Sequence, residues 1–205
     1  MNRIDYPRFT IIMRGYTYEQ ADAILRAIKG YEQYFAVEMT LNTDHALQHI
    51  SRLNDKYGEQ ILIGAGTVRT LTDAKAAVEA GAKFLLGPHT FSQEMLHFAK
   101  ENEVIAVPAA MTPSEINDMF DHGADIVKIF PAAVVTPRFF SDVQAPLGEL
   151  PLMAVGGISI NNAPDFLAQG ARYLGFGSNL FNKEDLNARD ANGLAASLQT
   201  IVSLV

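Results

Sequence analysis

Ile126-Val127-Lys128-Ile129-Phe130-Pro131-Ala132-Ala133 reads as a short buried strand closed by a proline, with a single charge in its middle. The β-branched and aromatic neighbours of Lys128 describe a strand of a parallel sheet covered on both faces. An ammonium in such a strand is costly to desolvate. It must snorkel to water, pair with a carboxylate, or be kept for its chemistry. In the last case burial lowers the amine's pKa, part of it is neutral at pH 7, and a neutral amine can attack a carbonyl carbon and form a Schiff base.

Outward from this stretch the chain alternates a short β-branched run with ten to fifteen residues of helical periodicity, joined by Gly, Pro, Asn, Thr or Ser. Eight strands are expected: Phe9 to Arg14, Phe35 to Leu41, Ile61 to Gly66, Phe84 to Gly87, Val104 to Pro108, Ile126 to Phe130, Leu152 to Val155 and Tyr173 to Phe176. Helix starts are expected at Thr17, Thr43, Thr70 or Thr72, Ser92 and Thr112, the last followed by Pro113 in the first turn. Asn161 to Gln169 reads as the seventh helix and the Ala- and Leu-rich stretch from Leu186 to Leu204 as the eighth. For the sixth strand the sequence suggests a following helix but gives no bounds.

Three joins share one form: Ala80-Gly81-Ala82, His122-Gly123-Ala124 and Gln169-Gly170-Ala171 each place a glycine stop and an alanine between a helix and the next strand. A repeated strand, helix and crossover demands parallel pairing. Eight such units over residues 1–205, with no linker, fit a single α/β domain closed as an eight-stranded parallel (β/α)8 TIM barrel; a doubly wound open sheet is the alternative.

Composition bounds the function. The chain has 205 residues, 48% of them hydrophobic, and a net charge of −7 with a pI near 5.2. That balance excludes a general nucleic-acid binder, which needs a basic footprint, but not the binding of a small anion by backbone N–H groups and one or two local cations. Cysteine is absent, so disulfides, thiolate metal sites and cysteine nucleophiles are excluded. The opening Met1-Asn2-Arg3-Ile4-Asp5-Tyr6-Pro7 has no apolar signal region, and no run of about 18 apolar residues occurs. The expectation is a cytoplasmic protein without a membrane partner.

In a barrel, chemistry belongs at the carboxyl ends of strands and in the loops that follow. There the chain carries Arg14-Gly15, Glu38 with Thr40-Leu41-Asn42, Gly66-Thr67, Gly87-Pro88-His89, Pro108-Ala109-Ala110, Lys128, Gly156-Gly157 and Gly177-Ser178. Glu38, in Phe35-Ala36-Val37-Glu38-Met39, is a second charge inside an apolar strand. Glu38 and Lys128 could form a buried structural ion pair, which seldom stabilises more than apolar packing does. They could equally be the acid/base and the nucleophile of carbonyl chemistry, the carboxyl's pKa held up by burial. The glycines after strands seven and eight, with the Ser178 hydroxyl, resemble the phosphate cradle of many barrels, although tight turns would use the same residues. Arg14 could grip a carboxylate or phosphate with its two-pronged guanidinium.

His45 and His49 stand four apart within an expected helix, where a solvated face explains them, and His89 is the one histidine on the rim. No nucleophile elbow is present, and no GxGxxG follows a strand.

Val37-Glu38-Met39-Thr40-Leu41-Asn42, Gly64-Ala65-Gly66-Thr67-Val68, Pro108 to Glu115, Val127-Lys128-Ile129-Phe130-Pro131-Ala132 and Gly156-Gly157-Ile158 together resemble the 2-keto-3-deoxy-6-phosphogluconate / phosphogalactonate aldolases in order and spacing. The resemblance covers nearly the whole chain. It implies a class I aldolase, working without metal or cofactor, that cleaves a phosphorylated 2-keto-3-deoxy sugar acid to pyruvate and glyceraldehyde 3-phosphate. It implies Lys128 as the Schiff-base lysine and Glu38 as the general base. It places Arg14 and Thr67 near the pyruvate carboxylate, Gly156, Gly157, Gly177 and Ser178 around the phosphate, and Pro88 and Pro108 as shapers of the pocket. Family members are commonly trimers, so a homotrimer is expected by resemblance.

Asn42 and Val155 occupy substrate-binding positions by the same resemblance, and both depart from the gluconate-type pattern, which carries arginine at the first and Pro-Thr where this chain has Ala154-Val155. Both changes look like the galactonate-type branch, which differs in configuration at C4. Losing a threonine hydroxyl can shift selectivity strongly between epimers. Two readings of other kinds stay open on the residues alone. One is a phosphosugar isomerase or epimerase using Glu38 as base; the other is a barrel that binds a phosphorylated ligand without turnover.

Overall fold

A computed structural model describes residues 6–204. The opening Met1–Asp5, read above for its lack of a signal region, lies outside the described residues. Among the described residues no helix is long and apolar enough to cross a membrane.

Among the described residues nine strands, β1 (Phe9–Met13), β2 (Phe35–Thr40), β3 (Leu62–Gly66), β4 (Phe84–Leu86), β5 (Ile105–Val107), β6 (Ala109–Ala110), β7 (Val127–Ile129), β8 (Leu152–Val155) and β9 (Tyr173–Phe176), form one all-parallel sheet. Their order is β5-β4-β3-β2-β1-β9-β8-β7-β6, so the two ends of the sheet are consecutive in the chain and the sheet curls into a nearly closed barrel. The expected count of eight becomes nine because Pro108, which has no N–H to give to a ladder, divides the fifth strand. Its first half, β5, pairs with β4, and its second half, β6, pairs with β7. The seam is bridged by a few bonds: Asp125 N and Ile126 N both donate to Ala106 O, at 3.1 and 3.3 Å, Ala106 N donates to Asp125 Oδ2 at 2.8 Å, and Lys128 N to Pro108 O at 2.9 Å.

Nine helices pack outside: α1 (Tyr18–Ala27), α2 (Ala46–Tyr57), α3 (Leu71–Glu79), α4 (Gln93–Glu101), α5 (Pro113–Asp121), α6 (Arg138–Leu147), α7 (Ala163–Ala168), α8 (Lys183–Ala188) and α9 (Ala191–Val202), counted among the described residues. Thr17, Thr70 and Thr112 close capping boxes and Ser92 caps α4, as their sequence positions suggest. Two expectations are corrected. Thr43 does not open α2: its hydroxyl accepts from Gly15 N at 2.9 Å, and His45, in a left-handed conformation, precedes the helix. The final helix is two, because Arg189 turns left-handed and Asp190 caps a fresh start.

Strand alternation separates two cores. Outward residues such as Ile11, Met13, Val37, Met39 and Val127 pack under the helices. Inward residues, among them Ile12, Ala36, Phe84, Leu86, Val107, Met153, Val155 and Tyr173, fill the barrel. At the amino ends of the strands Tyr6 plugs the interior. Its ring meets Phe84 at 5.3 Å and Tyr173 at 5.5 Å, both edge-on, and its hydroxyl shares a 2.9 Å hydrogen bond with Thr10. Closing one end in this way leaves the carboxyl ends as the open face.

Candidate active site

The same alternation turns Lys128 and Glu38 into the barrel. On β7 the flanking Val127 and Ile129 belong to the outer core, and on β2 so do Val37 and Met39. Both charged residues are buried, with Lys128 only 5% and Glu38 only 2% exposed. The sequence also makes room for the acid. Gly66 on β3 lies beside it, and a β-carbon there would overlap Glu38 Oε1. Any residue but glycine at 66 therefore displaces the carboxyl group.

Glu38 and Lys128 line one cavity of about 450 Å3, together with Ile12, Arg14, Thr67, Pro88, Phe130, Val155, Gly156, Gly157, Ile158, Gly177, Ser178 and Asn179. This gathers eight of the other expected positions: Arg14, Thr67, Pro88, Val155, Gly156, Gly157, Gly177 and Ser178. Two others do not line it. Asn42 stands at the exposed rim, where its Oδ1 accepts from Arg14 Nη1 at 3.2 Å, so it touches the guanidinium rather than the cavity. Pro108 sits behind the lysine and holds its backbone through the 2.9 Å bond from Lys128 N. A rim position fixes a residue's height on the barrel but not the direction of its side chain.

The sequence reading missed Ile12, Phe130, Ile158 and Asn179. A usable signal existed for two of them, since Ile12 and Phe130 are each two residues from an inward side chain on the same strand.

Lys128 and Glu38 do not form a structural ion pair. Among the described residues no salt bridge within 4.0 Å includes either side chain, and Glu38 Oε2 is buried without a hydrogen-bond partner. The amine faces a ring: Lys128 Nζ lies 4.8 Å from the centroid of Phe130.

Electrostatics follow from this dry setting. Burial is the dominant influence on both groups. It pushes the Glu38 carboxyl up to about 7, against the pull of the Lys128 and Arg14 charges. It pushes the Lys128 amine down to about 8, against the Glu38 charge and with help from Arg14. Part of such an amine is neutral at pH 7, far more than for a solvated lysine. The two titrate together, so their apparent values belong to the pair.

Part of the cavity wall is made of glycine turns. Gly156 and Gly157 have φ of +93° and +78°, a left-handed region that side chains resist. A β-carbon at Gly157 would come within 2.5 Å of Ala133 Cβ, and one at Gly156 within 3.1 Å of Pro131 Cα. Thr67 also holds a left-handed backbone, with φ of +57°, which for a β-branched residue stores on the order of 1–3 kcal/mol of strain on the cavity wall.

His89 faces elsewhere. It lines a smaller neighbouring pocket, and its Nδ1 lies 2.7 Å from Thr90 O, so that nitrogen carries the proton. The rings of His45 and His49 are 6.4 Å apart, at the start of α2.

A desolvated amine, an unpartnered acid and a glycine cradle around one cavity are the equipment of covalent-lysine carbonyl chemistry on an anionic substrate. Comparison with known proteins gives that class its family. The family model described as KDPG and KHG aldolase matches residues 12–196. A probable 2-dehydro-3-deoxy-6-phosphogalactonate aldolase of Rhizobium meliloti is 31% identical over 195 residues, covering 93% of this chain and 91% of that protein. The 2-dehydro-3-deoxy-6-phosphogalactonate aldolase of Escherichia coli is 30% identical over 188 residues, covering 90% of each. A solved structure described as native KDPGal superposes with a TM-score of 0.87 at 27% identity, over 100% of this chain and 98% of that one.

The chain belongs to the KDPG and KHG aldolase family. It is accordingly an aldolase, a carbon–carbon lyase.

Proposed function

We propose that the protein cleaves 2-keto-3-deoxy-6-phosphogalactonate to pyruvate and glyceraldehyde 3-phosphate, with Lys128 as nucleophile and Glu38 as the group that moves protons. The observation that carries this reading is the buried amine of Lys128 sharing one cavity with the unpaired carboxyl of Glu38. Lys128 Nζ attacks C2, and loss of water from the carbinolamine gives an iminium. Glu38 accepts the C4 hydroxyl proton, the C3–C4 bond breaks, and its electron pair flows into the iminium to leave an enamine. The aldehyde departs. Protonation of C3 and hydrolysis then release pyruvate and the free lysine. Burial serves this sequence by keeping part of the amine neutral and by holding the acid's pKa near the working pH.

Arg14 and Thr67 serve the substrate carboxylate. Gly156, Gly157, Gly177 and Ser178 cradle the phosphate through close backbone approach and the serine hydroxyl. Val155, 4% exposed on the cavity wall, supports the galactonate epimer, since a valine offers no hydroxyl to the C4 group that a threonine would bond. Asn42 supports it indirectly by holding Arg14. The two long relatives named above carry the same substrate in their names.

The wider reading is a single domain in which β5 and β6 act as one barrel position, giving eight. It is assembled as a homotrimer and works in carbohydrate metabolism in the cytoplasm; sedimentation equilibrium tests the trimer. The deciding experiment is a coupled pyruvate-release assay with the two C4-epimeric acids side by side. A preference of at least tenfold for the galactonate epimer is expected, and a ratio near one removes the role given to Val155. Borohydride reduction in the presence of pyruvate should fix a three-carbon adduct on Lys128, and an unlabelled lysine with retained turnover refutes the covalent mechanism.

A further inference from the structure

Thr43 stands where a helix cap is expected, yet its hydroxyl is used elsewhere, and α2 starts at Ala46 without a side-chain cap. Gly15 N donates to Thr43 Oγ1 at 2.9 Å, Thr43 Oγ1 lies 2.9 Å from Thr40 Oγ1, and Thr40 Oγ1 donates to Met13 O at 3.4 Å. Each hydroxyl has one proton to give. Because Thr40 gives its own to Met13 O, the proton between the two threonines comes from Thr43, and the chain of bonds runs one way from Gly15 N to Met13 O. The residue enclosed between its two ends is Arg14.

Arg14 needs such support. The ladder between β1 and β2 ends at Met13 and Met39, so Arg14 is the first residue past it, and Gly15 then turns left-handed with φ of +71°. Arg14 is exposed, and an arginine free in solvent has rotamer entropy to lose when it is fixed on a ligand. Here the carbonyl before it and the N–H after it are held by threonine hydroxyls on residues only 0% and 7% exposed, while Asn42 Oδ1 holds the guanidinium at 3.2 Å. All three holds come from one segment, Thr40 to Thr43, folded on itself by a 2.9 Å bond from Thr43 N to Thr40 O. That segment leads directly on from Glu38, so one short piece of chain supplies the acid and fixes the cation. The Arg14 charge is felt by both members of the buried pair, lowering Glu38 and Lys128 alike.

We infer that Thr43, acting through Thr40, is a positioning residue for Arg14: the two hydroxyls set the height and direction from which the guanidinium meets the carboxylate of the keto acid. This rests on the reading above that gives Arg14 that carboxylate. Neither threonine lines the reaction cavity. Their effect falls on the binding of a charged keto acid and not on the bonds made and broken at Lys128. A methyl group in place of the Thr43 hydroxyl leaves Gly15 N and Thr40 Oγ1 each short of a partner, and the turn that carries Arg14 is released.

Borohydride trapping on Lys128, quantified by mass spectrometry over a range of pyruvate or methyl pyruvate concentrations, tests the inference, because the ester keeps the keto group and lacks the carboxylate charge. Thr43→Val should raise the half-saturating pyruvate concentration about fivefold or more and leave that of methyl pyruvate within about twofold. Thr43→Ser, which keeps the hydroxyl, should hold pyruvate within about twofold of wild type. Thr40→Val cuts the chain at its second link and should give the same split, so it carries the test if Thr43→Val does not fold. Arg14→Gln should raise the pyruvate value about tenfold or more, and adding Thr43→Val to it should change that value by no more than about twofold, since a positioning residue has no effect once its object is gone. Equal losses for the two ligands, an unmoved pyruvate value, or a further loss in the double variant overturns the positioning role while leaving Arg14 as the carboxylate's partner. An Arg14→Gln protein that takes up pyruvate as well as wild type does overturns that partner and this inference together.

Discussion

The two ends of the barrel interior bury polar groups in opposite ways. At the amino ends of the strands the Tyr6 hydroxyl meets the Thr10 hydroxyl at 2.9 Å, and two aromatic edges seal around the phenol. At the carboxyl ends Glu38 Oε2 has no partner, and Lys128 rests against a ring rather than a counter-ion. Each polar group at the floor satisfies another, so its burial costs little and the phenol's pKa is simply driven upward by desolvation. At the mouth the polar groups are left wanting, and that destabilised state is what a substrate relieves.

The sharpest way to break this contrast is at the lysine. Lys128→Met keeps the volume and removes the amine, so turnover should fall by more than about 10⁴-fold in a pyruvate-release assay. Next in size is Gly66→Ala. The added methyl evicts Glu38 from its place, and kcat should fall about 100-fold or more while borohydride trapping on Lys128 persists, which separates acid/base loss from nucleophile loss.

The pH dependence comes third. Lys128 must lose a proton to attack and Glu38 must lose one to act as base, so kcat/KM should climb by about two orders of magnitude or more between pH 6 and 8 and level off above the amine's value of about 8. A flat profile across that window means that burial does not tune the pair.

Stability gives the smallest effects, and they run in opposite directions at the two ends. Tyr6→Phe strands the Thr10 hydroxyl and should cost about 1–2 kcal/mol by denaturant unfolding, with kcat unchanged. Lys128→Met should stabilise the protein at pH 6. An amine whose folded pKa is depressed binds its proton more weakly in the folded state, so the native charge is a penalty at every pH below about 8 and is relieved as pH rises towards the unfolded value near 10.5. Replacing it should add on the order of 1–3 kcal/mol at pH 6, and a gain that vanishes at pH 10.5 identifies the titration as its source.

The same contrast explains what could be read from the residues alone. Lys128 and Glu38 were conspicuous because a charge in a β-branched run violates its surroundings. The strands were legible because buried parallel strands are nearly continuous apolar runs, and β8 and β9 match their expected bounds. What escaped depends on geometry that composition does not carry. The division at Pro108 looked like a strand end. Arg189 gives no sign of turning left-handed between two good helical stretches, and α6 is hidden by Pro137 at its start and Pro146 within it. Asn42 and Pro108 sit at the right height on the barrel and point past the cavity, while Gly66 seemed only a strand-end glycine until the carboxylate beside it was placed.

The Pro108 joint has a further consequence. A hoop riveted at one place yields there first, and here the rivet is a few isolated bonds directly behind the strand that carries the nucleophile. Native-state hydrogen exchange should therefore find the amides of Ala109 and Ala110 opening well before those of β1 and β2, whose five-residue register is unbroken.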